Sequence, residues 1–289
     1  MAKRFRQMPA TQGERDGRVR HAVLDRRCLT IALSIVVFFV GTSFLTVIAT
    51  LLASVLEVDR DVATIACQSL PAIVFSLGML VAYQHCFARR FDGMLRWSWQ
   101  GLALVLPSLA FAAVNLMELT TGAALNPLLP VLLQGLAPGI SEEIVFRAIP
   151  ASNWMRVGGR EDDVVPCVLA TSLAFGLVHA VNLAAGAALS STVFQVTYAF
   201  ALGVFFCAVM LRTGSIWPTA VAHTVIDVTA MLFMDMGDAG VITEELTLDP
   251  LILLPVAILV ALAVLGLYLV RPSRREEIVR LWDEKWGRA

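Results

Sequence analysis

Residues 29–56 read LTIALSIVVFFVGTSFLTVIATLLASVL, without one Asp, Glu, Lys or Arg. As a helix this stretch would cover about 40 Å at ~1.5 Å per residue, more than the roughly 30 Å of a bilayer's hydrocarbon core. Similar apolar runs follow at Val62–Phe87, Trp99–Met117, Leu128–Trp154, Val164–Val181, Ser191–Leu211, Ile216–Phe233 and Leu251–Val270. Each is read as a helix, because a spanning segment must satisfy its own backbone hydrogen bonds. The ten-residue alternation of a membrane β-barrel is absent. The sequence therefore predicts an all-α, polytopic integral membrane protein with about eight transmembrane helices.

Composition points the same way. Apolar residues make up 58% of the 289 and charged residues 16%, with a mean hydropathy of +0.76. Soluble domains run at roughly 45–50% and about 25%, so a water-facing surface cannot be assembled from this chain. A disordered chain, a disulfide scaffold and a coiled coil are excluded on the same grounds. The net charge of −1 gives no hint of a nucleic-acid partner. The five cysteines, Cys28, Cys67, Cys86, Cys167 and Cys207, have no C-x-x-C spacing and sit in or beside apolar runs. A polar lead of 27 residues before an overlong apolar run does not read as a cleavable signal. There is no internal repeat and no low-complexity tract.

The basic residues predict an orientation. They fall in the N-terminal tail to Arg27, in the C-terminal tail from Arg271, and in the loops after the second, fourth and sixth runs (Arg89, Arg90 and Arg96; Arg156 and Arg160; Arg212). Loops after the odd runs hold only Arg60, and the last of them carries Asp235, Asp238, Glu244, Glu245 and Asp249. Lys and Arg mark cytoplasmic loops, so both termini are expected in the cytoplasm. The chain then divides into a basic tail (1–28), a membrane domain (29–270) with a catalytic core at about 128–233, and a second tail (271–289). Residues Arg274–Trp286 read as a short amphipathic helix on the membrane surface.

Charge inside a bilayer is costly and usually functional. The fourth run contains Ser141-Glu142-Glu143-Ile144-Val145-Phe146-Arg147. Glu143 and Arg147 are four apart and can pair on one helix face. Glu142, rotated about 100° away, lacks that partner, and a carboxylate without a counter-ion in low dielectric can take and give protons. His179 in the fifth run follows Phe175 by four, so the ring can pack on the imidazole. His223 in the seventh precedes Asp227 by four, and that carboxylate can hold the imidazole and set its tautomer. Helix rise puts Glu142 and His179 roughly 21 and 24 Å from the cytoplasmic ends of their runs, and His223 roughly 16 Å. A common site is therefore reachable. Gly135 and Gly139 form a G-x-x-x-G, read here as close packing before a kink at Pro138.

These three pieces together resemble the CPBP family, the CAAX proteases and bacteriocin-processing enzymes also called Abi proteins, and within it the type II CAAX prenyl endopeptidases. The family pattern is E-E-x-x-x-R, F-x-x-x-H and H-x-x-x-N/D on successive intramembrane helices. Here it is met by Glu142, Glu143 and Arg147, by Phe175 and His179, and by His223 and Asp227. The resemblance covers about Leu128 to Phe233. Its last position is Asp, where the prenyl-protein endopeptidases have Asn.

The resemblance implies an eight-helix core with a cytoplasm-facing cavity and peptide-bond hydrolysis inside it. Glu142 with His179 would activate a water, and His223 and Asp227 would stabilise the oxyanion, with Glu143, Arg147 and Phe175 in support. Asp227 donates directly only if protonated; ionised, it orients His223. Two histidines and a glutamate also make a Zn²⁺ set with an open position, in which case the ligands are Glu142, His179 and His223. H-E-x-x-H is absent, and the metal-free water is favoured. The expected partners are a lipid bilayer and a hydrophobic or lipidated peptide or protein. The Arg-rich, Lys-poor chain suggests a bacterial cytoplasmic (inner) membrane. A proteolytically inactive scaffold or immunity protein and a proton-coupled transporter are the competing readings, the latter disfavoured because no inverted repeat is visible.

Overall fold

A computed structural model describes residues 25–86, 93–233 and 253–288. Most of the basic tail with His21, the loop with Arg89 and Arg90, and the acidic stretch Asp235–Asp249 lie outside the described residues. Among the described residues every regular element is helical. In chain order these are α1 (Arg27–Val55), α2 (Arg60–Cys86), α3 (Trp99–Thr121, tightened by 3-10 turns), α4 (Leu128–Glu143), α5 (Ile149–Val157), α6 (Glu161–Val178), α7 (Leu189–Thr213), α8 (Trp217–Met231), α9 (Leu253–Leu269) and α10 (Pro272–Lys285).

Among the described residues six helices are long and apolar enough to cross a bilayer, with α4 and α5 counted as one through the segment between them. A seventh candidate is α9 with α10, which bend by 69° at their junction. The hydropathy pattern gives eight. The difference lies in α8, whose 15 residues reach about 22 Å. The helix begins only after the Gly214–Ile216 turn that ends α7, with Pro218 in its first turn.

The central helix is α7. Residues 201–211 are buried all round, as expected for a helix apolar on every face and packed inside a bundle. It lies between α6 and α9. Glycine sets both approaches: a Cβ on Gly176 would stand 2.7 Å from the Val196 carbonyl oxygen, and one on Gly266 would stand 2.8 Å from Phe205 Cα. Val40, Phe44 and Leu51 on α1 are exposed, the outward face of a helix meant for lipid.

The G-x-x-x-G of α4 packs against α8. A Cβ on Gly135 would meet Val228 at 2.6 Å, and one on Gly139 would meet Thr224 Oγ1 at 2.1 Å and its backbone nitrogen at 2.8 Å. Only hydrogen lets α4 and α8 come this close. Helix α4 runs through Pro138, and the backbone then widens into a π-helical segment at Ile144–Ala148. Pro150 follows two residues after its end. Its missing N–H leaves the Phe146 carbonyl without the usual donor, and its ring crowds that carbonyl. A widened turn relieves both, and such turns favour functional sites.

The C-terminal helix α10 buries its apolar side in the bundle. Ile278 and Trp282 are buried, and Trp282 Nε1 donates to the Leu211 carbonyl at 3.1 Å. Trp286 Nε1 donates to the Ser152 carbonyl and Lys285 Nζ to that of Gly93. Arg212 and Arg274 both bond Glu277, holding its carboxyl below the usual carboxylate range. The apolar face expected to lie on a membrane surface is thus spent on closing one end of the bundle.

Candidate active site

Glu142, Phe175, His179, His223 and Asp227 line a single cavity of about 320 Å³. The three sequence motifs meet there although they come from α4, α6 with its extension, and α8. Glu143 and Arg147 stand behind the cavity wall, 0% and 1% exposed.

Adjacency separates the two glutamates. Consecutive helical residues point about 100° apart, so Glu142 faces the cavity while Glu143 turns into the protein. Arg147 Nη1 donates to Glu143 Oε1 at 2.6 Å. The same Oε1 lies 2.9 Å from His223 Nδ1. Since a carboxylate only accepts, Nδ1 carries the proton in that contact, and Glu143 sets the tautomer of His223.

The i,i+4 spacing predicts Asp227 for this task. Asp227 Oδ2 instead lies 3.5 Å from the other nitrogen, Nε2, and Glu142 Oε2 lies 3.7 Å from it. Both are longer than a normal hydrogen bond. The reason is helix phase. A residue four on from His223 shares its face along α8, on the cavity side, whereas Glu143 arrives from α4 through the close contact at Gly139. Nε2 of His223 thus looks into a gap between two carboxylates. Doubly protonated, the ring presents Nε2–H to that gap.

His179 is fixed in a similar way. Helix α6 ends at Val178 and tightens into a 3-10 segment, His179–Leu183. His179 Nδ1 lies 2.9 Å from the Phe175 carbonyl oxygen. A carbonyl only accepts, so Nδ1 carries the proton and Nε2 of the neutral ring is left as a lone pair. Both imidazoles are tied back through Nδ1, which leaves Nε2 as the ring nitrogen without that tie.

Phe175 has more neighbours than its spacing announced. Its ring stands edge-on to His179 at 5.1 Å and to His223 at 5.9 Å. The Arg147 guanidinium carbon lies 4.0 Å from its centroid, a cation–π distance. One ring therefore connects the buried cation to both imidazoles.

Several cavity residues escaped the sequence reading. Phe206 of α7 is 5.9 Å from the His223 ring. Asn182, Gln195 and Tyr198 also line the cavity. Phe206 carries no sequence signal in so apolar a helix. Asn182 and Gln195 do, as carboxamides in or at the end of apolar runs, where attention to charge and imidazole alone passes over them.

Among the described residues no group of three or more His, Cys, Asp and Glu side chains converges as a metal-ligand cluster. With each Nδ1 engaged, only the two Nε2 atoms and Glu142 remain as donors for the Zn²⁺ set considered above.

No curated protein and no solved structure matches the chain. Residues 124–229, which include every motif residue named above, match the family model described as Type II CAAX prenyl endopeptidase Rce1-like, the family the three motifs resemble, and at the level of that family the match supports a CAAX-type intramembrane protease.

Proposed function

We propose that the chain is an intramembrane endopeptidase of a bacterial cytoplasmic membrane. Its substrates are membrane-associated or lipidated peptides or proteins, and it hydrolyses their peptide bonds through a water activated by Glu142 and His179. One observation carries this reading. Two imidazoles, each held through Nδ1 by a fixed acceptor, share a cavity with a carboxylate that has no arginine partner among the described residues.

The chemistry follows from that arrangement. Glu142 takes a proton from the water, and His179 Nε2 accepts the water's other hydrogen and fixes its direction. The hydroxide adds to the scissile carbonyl carbon. Charge builds on the carbonyl oxygen, and Nε2–H of a protonated His223 is placed to bond it, with Asp227 donating as well when protonated. A donor aimed at a developing oxyanion is worth about 3–4 kcal/mol. Collapse of the intermediate breaks the C–N bond, and Glu142 returns its proton to the leaving amine. One water is consumed, and an acid and an amine are released.

The test uses protein purified in detergent or reconstituted in liposomes and given a library of hydrophobic and lipidated peptides, beside Glu142→Ala and His179→Ala. Cleavage by wild type and a loss of about 10³-fold or more in both variants is the expected result. No cleavage by wild type, or cleavage unchanged in both variants, refutes the peptidase and leaves the scaffold and transporter readings.

A further inference from the structure

Asn182 and Gln195 have no part in the chemistry above, yet both line the cavity. Asn182 Nδ2 donates to Gln195 Oε1 at 2.8 Å. This bond uses the amide of one side chain and the carbonyl of the other. It leaves Asn182 Oδ1 as an acceptor and Gln195 Nε2 as a donor. The Tyr198 hydroxyl sits beside Gln195, one turn along α7, and Nε2 has two hydrogens, so one remains for another partner. An acceptor and a donor on joined carboxamides are the complement of one residue of an extended chain, whose own N–H and C=O point to the same side.

The position is as specific as the chemistry. His179 opens the 3-10 segment and Asn182 lies three residues on. At 3.0 residues per turn these two side chains eclipse, about 6 Å apart along the axis. An extended chain advances roughly 3.3 Å per residue. The carboxamide pair therefore stands within about two substrate residues of any bond placed beside His179. The backbone that carries it is anchored, since the amides of Ala185 and Ala187 both donate to the Asn182 carbonyl.

We propose that Asn182 and Gln195 are positioning residues that hold the backbone of one residue of an extended substrate, with Asn182 Oδ1 accepting that residue's N–H and Gln195 Nε2 donating to its C=O. This inference rests on the peptidase reading and names what the same site recognises: main chain, within two residues of the scissile bond. The need is physical. A peptide entering from the bilayer gives up water, and each backbone group left unpaired there is costly. Register is fixed by whichever group the clamp holds.

The test is an ester scan of a peptide that wild-type protein cleaves. Amides near the scissile bond are replaced one at a time by esters, which lack the N–H, and kcat and KM are measured for wild type, Asn182→Ala and Asn182→Asp. One ester within two residues of the scissile bond is expected to cost wild type about 10–100-fold in kcat/KM. Asn182→Ala loses a similar factor on the all-amide peptide and nothing further on that ester. Asn182→Asp, which keeps an acceptor oxygen, keeps the ester penalty. If Asn182→Ala does not fold, Gln195→Ala carries the test, because Asn182 then loses the bond that holds it and the same collapse of the penalty is expected. Penalties of variant and ester that multiply at every position, or Asn182→Ala cleaving as wild type does, overturn the clamp and leave the peptidase standing. Failure of wild type to cleave any peptide sinks both.

Discussion

The Glu143–Arg147 pair makes a quantitative demand. Both side chains are essentially unexposed, at 0% and 1%, and their closest atoms are 2.6 Å apart. That places the pair among buried ion pairs rather than surface pairs worth about 0–1 kcal/mol. In Glu143→Gln the guanidinium stays where it is, against Phe175, with its counter-ion gone. In Arg147→Met the carboxylate stays, with His223 as its remaining ionisable partner. Leaving a buried charge uncompensated costs about 3–5 kcal/mol. For chains of this size that is a melting shift of roughly 6–20 °C. The double variant Glu143→Gln with Arg147→Met removes both charges at similar volume, and apolar or neutral replacement of a whole buried pair is often neutral or stabilising. Its melting point should return to near wild type. Peptide cleavage should not return with it. The carboxamide that replaces the Glu143 carboxylate would still offer an oxygen to His223 Nδ1, but not an anion, and losing a group that orients a working imidazole costs about 10–100-fold. The assay is thermal unfolding in one detergent, read by intrinsic fluorescence and by size exclusion, beside cleavage of a peptide that wild type processes. Arg274→Ala, which removes one side of an exposed pair with Glu277, is the control, with no measurable change expected. Single variants that melt within about 2 °C of wild type, or a double variant below both singles, would refute the reasoning.

Gly139→Ala sets a methyl group 2.8 Å from the Thr224 backbone nitrogen. It should destabilise by about 1–3 kcal/mol and lower kcat by moving Glu143 relative to His223, whereas Gly78→Ala, whose Cβ meets nothing, should do neither. Metal analysis of active protein should find less than stoichiometric Zn²⁺ and cleavage that survives chelation; stoichiometric zinc, with activity lost to chelator and restored by zinc, would move the chemistry onto Glu142, His179 and His223 as ligands.

What could be read from the chain and what could not divides along the range of the interactions. Helix content follows from apolar length, because a bilayer leaves the backbone no other partner. The bounds and bends of the helices do not, because hydropathy cannot see that α8 starts after a turn or that α9 bends into α10. Pairings at i,i+4, such as Glu143 with Arg147 and Phe175 with His179, were legible because a helix fixes them locally. The Glu143–His223 bond, the Arg147–Phe175 contact and the Asn182–Gln195 bridge were not, since each joins different helices. One assignment was incomplete for this reason. Asp227, the carboxylate at a helical spacing from His223, does lie 3.5 Å from its Nε2, but the Nδ1 acceptor sits eighty positions earlier.

The proposed mechanism gives each of the two adjacent acids a separate task. A single carboxylate cannot both hold Arg147 and His223 by one oxygen and stand free to take a proton from water. The first task requires a fixed anion, spent on its partners, and the second requires a carboxylate with no committed donor. Neighbouring helical positions point about 100° apart, so Glu142 and Glu143 reach opposite sides of one wall without any change in the backbone. The widened turn at Ile144–Ala148 begins directly after them. The close packing at Gly139, one turn before, brings α8 near enough for His223 to span the wall, with Nδ1 on Glu143 and Nε2 toward Glu142. His223 therefore couples the fixed anion to the open cavity. Exchanging the two roles would take more than exchanging side chains, since both positions already hold glutamate and only the wall between them tells one from the other.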